Sequence, residues 1–260
     1  MSTYCVEVKT VQAAAIKILI EALKELLTET CIEFDETGIK IIAMDTAHVV
    51  LVHLKLEASK FEYYHCPKRH TIGVNMLNLH KLIKTINSND SLTLFIDEAD
   101  QNHLGIKIEN SEKATRTTYK LNLYDLDNPQ IKVDPAEFNS VITLLSSDFH
   151  KICRDMNNLA EYVEIRNINN QLIFKCSGDF SEQETIISDS ENGSTISSKN
   201  SNEIVQGIFN LKYLVMFTKC TNLCNTVELY LKNDYPLICA YNVASLGTLR
   251  LCLAPNANES

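Results

Sequence analysis

Glycine is scarce, at seven residues in 260, and the chain contains no Gly-x-Gly-x-x-Gly, phosphate loop or His-Glu-x-x-His. Backbone cradles for nucleotide phosphates need glycine where the chain closes on the ligand, so a nucleotide-driven enzyme is disfavoured. Cys-x-x-Cys is also absent, although nine cysteines occur at 5, 31, 66, 153, 176, 220, 224, 239 and 252. Their number is odd, and Cys31, Cys176, Cys239 and Cys252 sit in apolar runs. That pattern fits buried reduced thiols rather than disulfides or a metal centre, and no cofactor or metal is expected. No apolar run is long enough to span a membrane. The first residues, Met1 to Glu7, lack a basic segment followed by an apolar core, so no signal peptide is expected and the protein should stay in the cytoplasm or nucleus. Basic charge is short as well: 24 Lys and Arg face 33 Asp and Glu, for a net charge of −9. Taken alone, that argues against a polyanionic partner.

What is present is a pattern stated twice. Ile16, Leu19, Ile20, Leu23, Leu26 and Leu27 recur at helical spacing, with Lys17, Glu21 and Lys24 opposite, which predicts an amphipathic helix over 13–27. Two short strands follow, Cys31 to Phe34 and Ile39 to Ile42, around a turn at Glu36-Thr37-Gly38. Near Ser147 the order returns. Phe149, Ile152, Cys153 and Met156 form the stripe, then Tyr162 to Ile165 and Leu172 to Phe174 flank a turn at Asn169-Asn170. A second pair of units begins at Gly73 and Gly207. Each runs through a helix (Met76, Leu79, Ile83 and Ile86; Leu211, Leu214, Val215 and Thr218) into a strand (92–96; 227–231).

Further strands are expected at 4–10, 49–56, 61–65, 104–108, 115–123, 139–145, 237–241 and 247–253. The stretch 124–137 lacks periodicity and carries Asp125, Asp127, Pro129, Asp134 and Pro135, as suits an exposed linker. Ile131 and Val133 within it either pin the linker down or serve a binding site. Residues 188–203, rich in Ser, Asn and acid, are expected to form a surface loop. The chain therefore reads as α+β: two similar, mostly antiparallel domains at 1–123 and 138–260, joined by a connector at 124–137.

The charge is unevenly placed. Four helices at 13–27, 76–87, 147–158 and 211–222 hold eight basic and four acidic residues, leaving sixteen basic and twenty-nine acidic elsewhere. Any one lysine on an amphipathic helix is ordinarily just a solvated face. Four helices with basic pairs off their apolar stripes say more: gathered on one surface, they would attract a polyanion to an acidic body. Nothing specifies bases, since there is no helix-turn-helix, zinc-finger spacing or aromatic groove pattern.

Several separated motifs, in order, carry a resemblance. They are Ala43-Met44-Asp45-Thr46-Ala47-His48-Val49-Val50-Leu51-Val52, Gly73-Val74-Asn75, Leu123-Tyr124-Asp125-Leu126-Asp127, Ile152-Cys153-Arg154-Asp155 and Leu253-Ala254-Pro255. Over essentially its whole length the sequence resembles the proliferating cell nuclear antigen family, the sliding clamps of DNA replication. The resemblance implies two clamp domains per chain and three chains closed head to tail, with helices lining a central hole and sheets outside. It implies a homotrimeric, non-catalytic processivity factor that encircles duplex DNA without sequence preference. Implied partners are DNA polymerase, flap endonuclease, DNA ligase and an ATP-dependent clamp loader. The implied location is the nucleus, or a viral replication compartment if the source is a virus.

By the same resemblance, Lys17, Lys24, Lys81, Lys84, Lys151, Arg154, Lys212 and Lys219 would face the hole, while Ile18 takes a position that is basic in familiar clamps. A partner peptide with one aliphatic and two aromatic anchors would dock on Met44, His48, Val49, Leu51, Ile131, Val133, Pro236, Leu253, Ala254 and Pro255. Cys252 stands where the family usually has a tyrosine in the pocket wall, and Lys132 replaces a small linker residue. The subunit joint would pair the strand around 115–123, with Tyr119, against the strand around 180–188, with Phe180. The lysine that family members modify with ubiquitin falls at Asn169.

Two other readings remain open at this level. One is a subunit of a heterotrimeric, checkpoint-type clamp. The other, more remote, is a thiol hydrolase built on Cys153 with His150 or Asp155 nearby. Against it, Cys153 belongs to the buried stripe of its helix.

Overall fold

The computed structural model describes residues 3–127, 131, 133, 136–138, 140–190, 193–198 and 204–256. The chain divides into two compact units. The first comprises Met1–Thr46, Val52–Ile131 and Asn242–Leu249; the second comprises Ala47–Leu51, Lys132–Tyr241 and Arg250–Ser260.

In the first part of the chain the elements run β1 (Tyr4–Thr10), α1 (Ala13–Leu26), β2 (Glu29–Asp35), β3 (Gly38–Met44), β4 (Val50–Glu57), β5 (Tyr63–His65) and β6 (His70–Asn75). They continue with α2 (Met76–Ile83), β7 (Ser91–Asp97), β8 (Asp100–Asn110) and β9 (Thr115–Asn122). One sheet of the first unit has the order β5-β1-β7-β8-β9, and β3-β2-β6 are neighbours in another. The described pairs are antiparallel, for example Phe34↔Ile39 and Ile106↔Tyr119. Ile16, Leu19 and Ile20 of α1 meet Phe34, Leu54, Ile83 and Leu104 in the core. Phe34 is fully buried, so Phe34→Ala would cost about 3–5 kcal/mol through lost transfer energy and the cavity left behind.

Local chemistry explains the boundaries. Three successive alanines start α1, where the Ala15 amide donates to the Gln12 carbonyl at 3.1 Å. Leu27 ends it by turning to an extended backbone. Asn75 caps α2 by accepting from the Asn78 amide at 3.1 Å, replacing a hydrogen bond the first turn cannot make internally. At the β2–β3 turn, Asp35 Oδ1 accepts from the Thr37 and Gly38 amides at 2.7 and 3.2 Å. Gly38 has φ +142° there, and a Cβ on it would stand 1.9 Å from the Leu56 carbonyl oxygen. Only glycine satisfies both conditions.

The second part of the chain runs β10 (Ser140–Leu145), α3 (Ser146–Asn157), β11 (Tyr162–Ile168), β12 (Gln171–Ser177), β13 (Glu182–Ser188), β14 (Thr195–Ser198) and β15 (Val205–Asn210). It ends with α4 (Leu211–Phe217), β16 (Thr226–Leu231), β17 (Leu237–Val243) and β18 (Gly247–Leu253). In the second unit, β13-β12-β11-β15 make one sheet and β14-β10-β16-β17 are successive neighbours in another. Phe149, Phe174, Phe209 and Phe217 are fully buried. Each unit thus has a helix followed by an antiparallel hairpin, then a strand leading directly into a shorter helix and a second hairpin. The duplication expected from the sequence is present.

Three expectations are corrected. The second pair of units does not begin at Gly73 and Gly207; both glycines lie inside strands, β6 and β15, that precede the helices. Gly73 is needed because the Tyr124 backbone passes close by, its amide donating to the Gly73 carbonyl at 2.9 Å. The expected helix at 76–87 ends at Ile83, and the one at 211–222 is α-helical only to Phe217, then tightens to a 3₁₀ turn over Thr218–Asn222. The 188–203 stretch is not all loop. β14 pairs with β10 there, and the Ile196 amide donates to Asp189 Oδ1 at 2.6 Å.

Candidate functional site

In the first unit α1 and α2 pack together, bringing their cations to one locality. Lys81 and Lys84 are exposed and make no ion pair among the described residues. Lys24 lies 2.6 Å from Glu25 and is largely covered. Lys17 is half-buried, and its Nζ donates to the Ile86 carbonyl oxygen at 2.8 Å. Lys24 and Lys84 act on His80, which no sequence motif singles out. Burial lowers its imidazole pKa, and the Lys24 ammonium pushes the same way, as does Lys84, against Glu21 and Glu25. A histidine four residues before Lys84 on a short helix was the available signal.

In the second unit α3 packs against α4. Lys151, Arg154, Lys212 and Lys219 are all exposed. Arg154 pairs with its neighbour Asp155 at 3.1 Å, and Lys212 Nζ lies 6.0 Å from the Tyr213 ring centroid. Each helix buries its apolar stripe: Ile16 and Leu23, Met76 and Ile83, Phe149 and Met156, Leu211 and Leu214. That leaves Lys81, Lys84, Lys151, Arg154, Lys212 and Lys219 in water, suited to phosphates rather than to base edges. An exposed ion pair is worth little, so Arg154 remains available to a polyanion.

The apolar set expected to hold a partner peptide is partly assembled within the second unit. The Ala254 amide donates to the Val49 carbonyl at 3.0 Å, tying the chain end to the segment 47–51. His48 is exposed, with φ +57°, and Leu51, Pro236, Ala254 and Pro255 are half-buried, while Leu253 is fully buried. Val133 is 43% exposed. Met44, exposed at the end of β3, and Ile131, half-buried, belong to the first unit. Lys132 lies outside the described residues. Cys252 is half-buried on β18, and burial raises its thiol pKa to about 11. Tyr119 is half-buried on β9, whereas Phe180 is 79% exposed before β13.

Nucleophilic chemistry finds little support. Cys153 is buried in the stripe of α3, and burial pushes its thiol far above the ordinary range. A thiol so held is not a thiolate at neutral pH. Among the described residues no three His, Cys, Asp or Glu side chains form a group that could hold a metal ion. No described helix is long and apolar enough to cross a membrane.

The family model described as proliferating cell nuclear antigen, N-terminal domain, matches residues 5–130, and that of the C-terminal domain matches residues 132–256. The chain is 38% identical over 252 residues to the "Probable DNA polymerase sliding clamp 1" of Paramecium bursaria Chlorella virus 1, covering 95% of both chains. It is 31% identical over 291 residues to the "Probable DNA polymerase sliding clamp" of Acanthamoeba polyphaga mimivirus. That match covers 97% of this chain and 62% of the relative.

Proposed function

Because the chain belongs to the proliferating cell nuclear antigen family, we propose that it is a DNA polymerase processivity factor, a homotrimeric ring that encircles duplex DNA and tethers the polymerase. The observation that carries this reading is the match of both family domain models, end to end, to a chain with the duplicated antiparallel architecture. The clamp domains are 1–123 and 138–260, with 124–137 as connector. The eight basic residues of the four helices face the duplex. Long side chains, most of them exposed and two paired to neighbouring acids, give weak contacts without register. A closed ring needs nothing tighter, since topology keeps it on DNA and strong contacts would stop it sliding.

Partner peptides dock on the apolar set from Met44 to Pro255, with Ile131 and Val133 supplying the connector's share. A ring presents three such sites, raising the local concentration of a tethered enzyme without new contacts. The polymerase is the first partner; flap endonuclease, DNA ligase and an ATP-driven loader use the same peptide mode. No reaction is assigned to the chain itself. Its place is at replicating DNA, in a nucleus or in a viral replication compartment.

The test is primer extension on a long circular template with the cognate polymerase and loader. The chain should lengthen products made in a single binding event. Replacing Ile131 and Val133 by alanine should weaken a partner peptide by about tenfold. Product lengths that do not change when the chain is added would overturn the reading.

A further inference from the structure

Three aromatic rings meet on the second unit. Phe138 lies edge-to-face with Tyr230, centroids 5.4 Å apart, and with Tyr235, centroids 5.6 Å apart. That is the arrangement ring quadrupoles favour. All three side chains are half-buried. Phe138 follows the connector, Tyr230 lies on β16, and Tyr235 closes the turn into β17, directly before Pro236. The two tyrosines have anchors of their own. Tyr230 Oη donates to Glu228 Oε2 at 2.7 Å. Lys232 Nζ stands 5.2 Å from the Tyr235 ring centroid. In the same turn, Asn233 Oδ1 accepts from the Gln206 amide at 2.8 Å and Asn233 Nδ2 donates to the Ile204 carbonyl oxygen at 3.1 Å.

The cluster sits at one end of an apolar row. Ile142, Leu229 and Cys239 register across β10, β16 and β17 and are buried, so the adjoining row Val141, Tyr230 and Ile238 faces outward. A sheet face turned to water ordinarily carries polar side chains; this row is apolar and half-buried, and the next outward pair, Thr143 and Glu228, is polar. On β18, the strand beyond β17, Leu251 and Leu253 are buried, which turns Cys252 outward as well. The rings therefore border the candidate peptide set twice, through Pro236 along the chain and through Ile238 toward the strand that carries Cys252. Cys252 offers a polarisable sulfur and no ring. A ring gains more from a second ring than an aliphatic side chain does, because face and edge carry opposite partial charge.

We propose that Phe138, held between Tyr230 and Tyr235, makes the partner-peptide site selective for aromatic anchors over aliphatic ones. Phe138 meets the ring of the peptide, and Tyr230 and Tyr235 are positioning residues that fix its angle. The inference rests on the clamp reading and its peptide site, and adds to them the source of side-chain preference.

Fluorescence anisotropy on the full chain with two synthetic peptides provides the test. One peptide carries a leucine and two phenylalanine anchors; its twin has leucine in place of both phenylalanines. The wild type should bind the phenylalanine peptide at least about tenfold more tightly than the twin. Phe138→Leu, which keeps an apolar side chain, should cut that preference about fivefold and leave the affinity for the twin unchanged. Tyr230→Ala with Tyr235→Ala should cut it similarly, whereas Tyr230→Phe, which keeps the ring, should retain it. The twin serves as the control for folding, since a collapsed site would lose both peptides alike. Preference unaltered in Phe138→Leu or in the double tyrosine variant, or equal loss of both peptides, would overturn the ring assignment while leaving the peptide site standing. A wild type that binds neither peptide would overturn the peptide site together with the inference.

Discussion

Lys17 Nζ donates a 2.8 Å hydrogen bond to the Ile86 carbonyl oxygen, so a cation on α1 holds the chain just beyond the end of α2. Carbonyls there lack helical partners, and the end of a helix carries partial negative charge, so an ammonium is well placed. One of the eight helical cations therefore has a structural task beside its proposed one. Lys17→Met keeps the aliphatic stem and removes the donor. It should lower stability by about 1 kcal/mol, a shift of roughly 2–4 °C in Tm. Lys81→Met should leave Tm unchanged, because Lys81 is exposed. Equal melting of Lys17→Met and wild type would assign Lys17 wholly to the surface.

His80 reports on the cations around it. Its pKa is lowered by burial and then by Lys24 and Lys84. The sign follows: the folded chain holds a proton less readily than the unfolded chain, so this residue contributes stability above the ordinary imidazole range, and that contribution is lost on acidification. Lys24→Gln with Lys84→Gln should move the His80 titration upward in an NMR pH series. Adding duplex DNA to the wild type should move it the same way, since phosphates favour the imidazolium. No displacement in the double variant would separate His80 electrostatically from both lysines.

Asp35 governs part of the acid limit. Burial pushes its carboxyl up, but the Lys40 ammonium and the Thr37 hydroxyl and amide together outweigh it and hold the pKa at about 2. A depressed carboxylate stabilises the fold above its unfolded pKa, and the stability is lost as pH falls from about 4 through about 2. Asp35→Asn should cost roughly 1–2 kcal/mol at pH 7 after allowing for solvent screening, and much less near pH 2. Urea melts at the two pH values measure this. An equal loss at both would trace the effect to packing.

The β11–β12 turn constrains which residue position 169 accepts. Asn169 and Asn170 both have positive φ, at 51° and 57°, in a two-residue hairpin that matches strand twist with left-handed residues. Asparagine tolerates that conformation better than lysine. Asn169→Lys, which restores the family's acceptor residue, should therefore destabilise the chain by about 1 kcal/mol, and Asn170→Gly should recover part of the loss. Unchanged Tm in Asn169→Lys would show that the turn relaxes freely.

Much of this was legible before any coordinate. Apolar alternation located the paired strands, and the Asn169-Asn170 turn lies where its residue types indicate. Gly73 and Gly207 do not mark the start of the second pair of units, because there a strand passes into the helix with no intervening loop. The better markers were Asn75 and Asn210, whose side chains cap the first turns. Strand β14 was hidden by a polar composition, since it is held by its pairing with β10 and the Asp189 carboxylate rather than by a continuous apolar stripe. The Lys17–Ile86 bond joins residues far apart in the chain, and spacing along one helix cannot announce such a partner. Basic residues off each stripe were visible; the approach of Lys24 and Lys84 to His80 required the packing of α1 on α2.

The most direct measurement is retention on DNA of two shapes. After loading by the cognate loader, the labelled chain should remain for minutes on a nicked circular duplex and leave within seconds once a restriction enzyme cuts the circle. A ring threaded on its substrate behaves this way, and one held by phosphate contacts does not. Equal retention on circular and cut DNA, rising and falling only with salt, would contradict encirclement.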